Sequence, residues 1–300
     1  MDSKKKNIVF IFNPISGSLK LIPVKSLIEL NIDTSLFNYE IITTQYAEHA
    51  YEIACDYAKR GIDMAIAVGG DGTVNEVGRG LIGSNTALGI IPSGSGNGLA
   101  RHLGIPIDPF KSTKWLSKST IQDIDYGIIN GHPFFCTCGI GFDAQISMKF
   151  AESKSRGPIV YMEKILREAL TYRTDTYHLC IDGVSQNVDA YIVTCANAGQ
   201  WGNNAYIAPT ASLQDGMLDV SVIPHFAAID APLMAYQLFN RQLDKSKNVI
   251  RYRCKNLTIS REKAGVAHYD GEPIILEPEI KIEIVEKGLK VVVPNKHRHI

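Results

Sequence analysis

The chain has 300 residues, is 45% hydrophobic and 21% charged, and balances 31 Lys+Arg against 31 Asp+Glu. Such a composition buries one large core or two modest ones and excludes disordered, collagen-like and disulfide-scaffold chains. Neutrality removes any general attraction to nucleic acid or to an anionic membrane, so a polyanionic ligand must be met by a local site. The basic start, Met1 to Lys6, precedes an apolar run, Ile8 to Phe12, that is too short for a signal-peptide core. No apolar stretch approaches the ~20 residues of a spanning helix, and the expectation is a soluble intracellular protein. Six scattered cysteines, Cys55, Cys136, Cys138, Cys180, Cys195 and Cys254, read as buried thiols because no second pair completes a zinc spacing.

Asn7 to Phe12 reads as a buried strand ended by Asn13-Pro14. Val24 to Leu30 has helical spacing, Tyr39 to Thr43 is a second strand, and Ala47 to Arg60 is a helix closed by Gly61. Met64 to Val68 runs into Gly69-Gly70-Asp71-Gly72-Thr73, with a helix expected from Val74. Ala87 to Ile91 is the next strand and leads into Pro92-Ser93-Gly94-Ser95-Gly96-Asn97-Gly98. This alternation predicts a parallel α/β sheet whose ligands sit beyond the strand carboxyl ends, where the loops emerge.

From about Ile124 the pattern changes to short strands. These are Gly127 to Cys138, Tyr177 to Ile181, Ala190 to Cys195, Leu218 to Ile223 and Ile280 to Val285, with Asp182-Gly183 a hairpin signal. One helix, Pro158 to about Tyr172, interrupts them, and a last strand, Leu289 to Val293, is expected to return to the first domain. The predicted organisation is an α/β domain over 1–124, completed by 287–300, and a β-rich domain over 125–286.

The glycines of Gly69 to Thr73 let backbone N–H groups approach an anion at a helix N-terminus. Asp71 within that loop asks for a bridging cation, since a carboxylate alone repels phosphate. The second loop adds amides and small hydroxyls, with Asn97 the expected helix cap and Arg101 a candidate for phosphate charge. Asn13-Pro14-Ile15-Ser16-Gly17-Ser18 is a third loop on the same edge, and three such loops describe a nucleotide site. No Gly-x-x-x-x-Gly-Lys-[Ser/Thr] is present, and Gly139-Ile-Gly141-Phe-Asp-Ala144 lacks the βαβ context of a dinucleotide loop. Phosphoryl transfer also needs a carboxylate at the acceptor hydroxyl, and Asp270-Gly271-Glu272 offers two.

On these residues the sequence resembles the diacylglycerol kinase catalytic-domain family, which includes bacterial lipid kinases, sphingosine kinases and ceramide kinases. Asn13-Pro14-Ile-Ser16-Gly17 is similar to the family's first nucleotide loop, and Thr44 to its adenosine-side threonine. Gly69-Gly70-Asp71-Gly72-Thr73-Val-Asn75-Glu76-Val77 resembles its signature, and Pro92-Ser-Gly94-Ser95-Gly96-Asn97 its second phosphate loop. Asp125-Tyr-Gly127 and Gly141-Phe-Asp143-Ala144 resemble strands at the substrate cleft. NAD kinases share the Gly-Gly-Asp-Gly turn, but place a comparable Asn-Glu much further along.

The resemblance implies an α/β plus all-β architecture, with an NAD kinase-like nucleotide-binding domain packed on a β-sandwich. It implies ATP and Mg²⁺ as cofactors, with Asp71 engaging Mg²⁺ through water. A structural Mg²⁺ would be held by the Asp215 carboxylate and the carbonyls of Ser212 and Met217. Asp270, oriented by Glu272, would accept the proton of a lipid hydroxyl, with diacylglycerol or a sphingoid base as acceptor. NAD kinase and a non-catalytic nucleotide-binding protein are the rival readings. The partners expected are ATP and a lipid at a membrane surface, no nucleic acid, and a homodimer is compatible. A cytoplasmic, peripherally membrane-associated protein would dock through Lys4 to Lys6, the Lys296 to His299 tail or the helix from Pro158.

Overall fold

The computed structural model describes residues 5–16, 24–152 and 172–295. The expected helix from Pro158, together with Gly17, Ser18, Lys4 and the 296–299 tail, lies outside them. The first domain is a parallel sheet in the order β2 (Phe37–Thr43), β1 (Lys6–Phe12), β3 (Met64–Gly69) and β4 (Ala87–Pro92). β3 and β4 are buried along their whole length, as strands are when helices cover both faces. The helices are α1 (Val24–Asn31), α2 (His49–Lys59), α3 (Asp71–Leu81), α4 (Gly98–His102) and α5 (Pro109–Lys114). α3 starts three residues before the predicted Val74, because Gly70 adopts an extended N-cap and helical geometry begins within the glycine-rich loop itself.

The second domain is a β-sandwich, entered through the short strand β6 (His132–Phe134) and carrying the helix α6 (Phe142–Glu152) directly after Gly141. One layer is antiparallel, with β14 (Ile250–Cys254), β13 (Leu218–Ile223), β10 (Ile192–Ala196), β7 (Thr137–Gly141), β16 (Gly265–Tyr269) and β17 (Glu272–Leu276) in that order. The other layer continues the first domain's sheet through β18 (Glu279–Pro294), β15 (Asn256–Ser260), β8 (Asp175–Ile181) and β9 (Val184–Ala190). Ile140, Val193, Cys195, Val220, Leu257 and Ile282 are among the side chains packed between the layers. β8 and β9 meet in a two-residue turn at Asp182 (φ 46°) and Gly183 (φ 89°), as the Asp-Gly signal predicts.

Where two strands were expected, Ile280 to Val285 and Leu289 to Val293, there is one. β18 pairs with β5 (Ser119–Ile129) on both sides of a register shift between Val285 and Leu289, and lies parallel to β4 at Val291. The shift breaks the alternation of side chains, which makes one bulged strand look like two. It is secured by Asp125, 1% exposed, whose oxygens accept the Lys287 N–H (2.7 Å) and the Gly216 N–H (2.7 Å). Asp125 therefore ties β5, the bulge and the 213–216 loop together at the domain junction. Asn197, fully buried, adds bonds from its side-chain amide to the carbonyls of Asp125 and Phe135, each at 2.9 Å.

Asp125→Ala leaves two N–H groups without acceptors and is expected to cost about 2–5 kcal/mol of unfolding free energy, read from guanidinium denaturation.

Candidate active site

The carboxyl ends of the four parallel strands lie along one edge, with Phe12 opposite both Thr43 and Val68, and Gly69 opposite Pro92. The three predicted loops leave from this edge. The Asn13 side chain donates to Thr73 Oγ1 at 3.0 Å, while its own oxygen accepts the Ile15 N–H at 3.1 Å. The hydroxyls of Ser16 and Ser93 lie 3.0 Å apart, and Pro14 and Ile15 are exposed between them and the strand. Thr44, 8% exposed, is tied to the same strand end by its N–H to the Phe12 carbonyl at 2.9 Å.

The two glycine-rich loops touch backbone to backbone. A Cβ on Gly94 would stand 2.7 Å from the Gly70 Cα, a separation no side chain tolerates. Asp71 joins them: its Oδ2 accepts the Asn97 N–H at 2.8 Å and its Oδ1 the Gly98 N–H at 2.7 Å. Burial pushes the Asp71 carboxyl above its ordinary value, and these two N–H donors oppose that shift. Asn97 does not cap α4 as predicted. Its left-handed backbone (φ 52°) folds its side chain over its own loop, where it accepts the Gly94 N–H (2.9 Å) and donates to the Gly94 carbonyl (2.7 Å). Ser95 is exposed at the loop tip. The Gly96 carbonyl accepts Arg101 Nε (3.0 Å) and the Asn203 N–H (2.9 Å), so Arg101 braces the loop.

Asp270 and Glu272 arrive from the second domain on the β16–β17 hairpin, whose turn is Asp270 (φ 48°) and Gly271 (φ 86°). The Asp270 carboxylate accepts four bonds: Phe135 N–H (2.8 Å) and Asn75 Nδ2 (2.9 Å) on Oδ2, Cys136 N–H (2.7 Å) and Thr137 N–H (3.2 Å) on Oδ1. Orientation of Asp270 comes from these donors and not from Glu272, because the hairpin folds the aspartate inward against the start of β7. Burial raises its pKa, and the four donors work against the rise. Glu272 opens to solvent, and its Oε1 lies where a Cβ on Gly72 would come within 3.2 Å. Desolvation against the surrounding wall, then the Glu76, Asp270 and Glu48 carboxylates, raise the Glu272 pKa, with Arg79 pulling the other way. A carboxylate of raised basicity thus sits beside the glycine-rich turn.

Asn75 and Glu76 have partners within the protein. Asn75, 3% exposed, bridges Asp270 to Arg79, whose Nε donates to its Oδ1 at 2.9 Å. Glu76 accepts the Ala50 N–H at 3.1 Å and so caps α2 from a neighbouring helix. They lie in the second turn of α3, past the free N–H groups of its first turn. Two buried groups escaped the sequence reading: Asn197, described above, and His268. His268 Nε2 meets Asp143 Oδ2 at 3.1 Å, and the same oxygen accepts the Thr194 hydroxyl at 2.6 Å. Both signals needed spatial neighbours to be visible.

Residues 7–129 match the family description "Diacylglycerol kinase catalytic domain", and residues 136–293 match "YegS C-terminal NAD kinase beta sandwich-like domain". A protein of Chromohalobacter salexigens named "Probable lipid kinase YegS-like" is 30% identical over 75% of this chain and 74% of its own length. The "Diacylglycerol kinase" of Bacillus subtilis is 28% identical, covering 87% of this chain and 88% of that one. The chain belongs to this lipid kinase family. A solved diacylglycerol kinase structure from Bacillus anthracis has the same fold as this kinase (TM-score 0.75, 22% identity, 98% of each chain).

In the structural Mg²⁺ set implied by the resemblance, the one carboxylate, Asp215, already has a cationic partner. Asp215 Oδ1 accepts the Met217 N–H at 3.1 Å, and its Oδ2 is paired with the Arg253 guanidinium. Arg253 Nε also lies 3.6 Å from Asp219, which Arg251 approaches at 3.3 Å, so two arginines already balance two aspartates. A guanidinium in contact with the one carboxylate of the set repels a dication. Among the described residues no group of three or more His, Cys, Asp or Glu side chains forms a metal cage.

Gly94→Ala is expected to force the two loops apart and cost about 1–3 kcal/mol of stability through overpacking, read from guanidinium denaturation. EDTA is expected to leave the melting temperature of the nucleotide-free kinase unchanged, whereas Arg253→Gln lowers it; a large EDTA effect on the parent would restore the metal reading.

Proposed function

We propose that the protein transfers the γ-phosphate of ATP to a lipid hydroxyl, with diacylglycerol the first acceptor to test. The carrying observation is the Glu272 carboxylate against Gly72, where a phosphate cradle and a candidate base from the other domain meet. Asn13, Ser16, Thr44 and the loops Gly69 to Thr73 and Ser93 to Asn97 supply the hydroxyls, side-chain amides and close backbone that suit a nucleotide triphosphate. Asp71 is the carboxylate at that cradle for a Mg²⁺ arriving with ATP, which when bound would neutralise phosphate charge.

In this reading Glu272 accepts the proton of the lipid hydroxyl as its oxygen attacks the γ-phosphorus, and the bond to the ADP oxygen breaks. Asp270 acts by position: held by four donors, it fixes the hairpin that carries Glu272. Transfer to an alcohol demands alignment more than a strong base, so this rigidity matters for rate. Membership in a lipid kinase family favours a lipid acceptor over NAD, and the juxtaposed carboxylates favour turnover over passive nucleotide binding. Diacylglycerol is placed first because it is the acceptor named for relatives, not because a described pocket selects it.

Incubation with labelled ATP and a panel of diacylglycerol, sphingoid base, ceramide and NAD tests the proposal. An organic-soluble product supports it; a labelled dinucleotide, or ATP binding without product, sinks it. Glu272→Gln is expected to lower kcat about 10²–10⁴-fold with ATP affinity nearly unchanged. Glu272 must be ionised to act, so activity should fall as pH drops through its raised pKa. Glu76→Gln removes a neighbouring negative charge that raises this pKa, and should move the acid limb of the kcat/KM profile to lower pH.

A further inference from the structure

One helix of the second domain presents an apolar face to water. α7 (Ala231–Phe239) follows a 3₁₀ turn, Ala228–Asp230, and only Met234 along it is buried, at 7% exposure. Ile229 is 85% exposed, Leu233 54%, Tyr236 58% and Phe239 49%. Spacings of three and four residues put Ile229, Pro232, Leu233, Tyr236 and Phe239 on one side, opposite Met234 and Leu238, which face the core beneath. Soluble surfaces scatter such side chains singly; here they form one stripe.

The fully exposed charges at the C-terminal end of the stripe are basic, and the two aspartates near it are more enclosed. Arg241, Lys245 and Lys247 are exposed just past the C-terminal end of α7, whereas Asp230 and Asp244 are partly buried. Lys247 only approaches Asp230, at 3.9 Å, and its side chain is 80% exposed. On a chain of zero net charge this is a local positive rim beside an apolar face.

The helix also has a defined place relative to the cradle. α7 packs on β12 (Ala205–Tyr206), where Arg241 lies 4.2 Å over the Tyr206 ring. β12 pairs with β11 (Gln200–Gly202), and a Cβ on Gly202 would come 3.0 Å from the Gly96 Cα. The hairpin that approaches the second glycine-rich loop therefore also contacts α7.

We infer that the exposed face of α7 is the surface by which the protein docks on an anionic phospholipid bilayer, its apolar stripe entering the headgroup boundary and Lys245 and Lys247 meeting lipid phosphates. This rests on the lipid-acceptor reading above. A bilayer suits the face better than a second copy of the chain. An interfacial helix needs one apolar stripe with a basic rim, whereas a stable protein interface needs about 800 Å² per partner and is poor in lysine. One short helix falls well below that area. Local attraction is also what a neutral protein requires to reach an anionic surface.

The test is co-sedimentation of the full chain with phosphatidylcholine vesicles, with and without phosphatidylglycerol, alongside activity on vesicle-embedded diacylglycerol and on a dispersed short-chain diacylglycerol. The parent is expected to bind the phosphatidylglycerol vesicles. Leu233→Glu/Tyr236→Glu, both on the solvent side, should keep the parent's melting temperature and short-chain activity while losing at least ten-fold in vesicle binding and vesicle activity. Lys245→Gln/Lys247→Gln should weaken binding about five-fold per lysine, and only to anionic vesicles. Parent protein that ignores anionic vesicles, or a Leu233→Glu/Tyr236→Glu protein that binds them like the parent, overturns the inference. So does a Leu233→Glu/Tyr236→Glu protein that changes from dimer to monomer on size-exclusion chromatography with vesicle binding intact. Vesicle binding that depends on α7, in a protein inactive on every lipid, would sustain the docking surface and sink the kinase proposal instead.

Discussion

The enclosed carboxylate of Asp270 is the constraint on which the candidate site depends. A charge removed from water is costly unless donors replace its hydration, and four do so, three from the backbone of Phe135 to Thr137 and one from Asn75. Because Asn75 belongs to α3 of the first domain, meeting this demand also sets the two domains in register. Glu272, two residues along the same hairpin, is thereby brought against Gly72. The carboxylate with four donors is thus the enclosed one, and the proposed base is its exposed neighbour.

The same division runs through the glycine-rich signature. Gly70 and Gly94 allow a backbone contact that brings two loops to one place, and Asp71 holds them there by occupying the first N–H groups of α4. Asn75 and Glu76, further along the same helix, hold Asp270 and the start of α2. A motif read as a ligand site therefore also braces the fold. What it leaves for a ligand are small hydroxyls and close, glycine-lined backbone at the sheet edge, which suit a polyanion.

Zero net charge places the weight of electrostatics on local groupings. Around Glu272 the grouping is acidic and raises basicity; around Asp215 and Asp219 two arginines supply the compensating positive charge. Past the end of α7 it is basic, next to apolar side chains that no described residue covers. Each follows from which charges the fold makes neighbours, and the total says nothing about them.

Periodicity alone determined the alternating α/β half, the β-rich second half, the three loops on one strand edge and the Asp182-Gly183 hairpin, because these depend on residues close in the chain. The resemblance rested on motifs of that local kind, so family membership was legible too. Tertiary structure decided the rest. That β18 is one bulged strand shared by both domains, that Asp71 caps α4 and Glu76 caps α2, and that Arg253 pairs with Asp215 are all contacts between distant segments. The roles of Asp270 and Glu272 show the limit most clearly. Two carboxylates separated by one glycine are indistinguishable in a sequence, and only the packing of the hairpin against β7 and α3 encloses one and leaves the other facing the cradle.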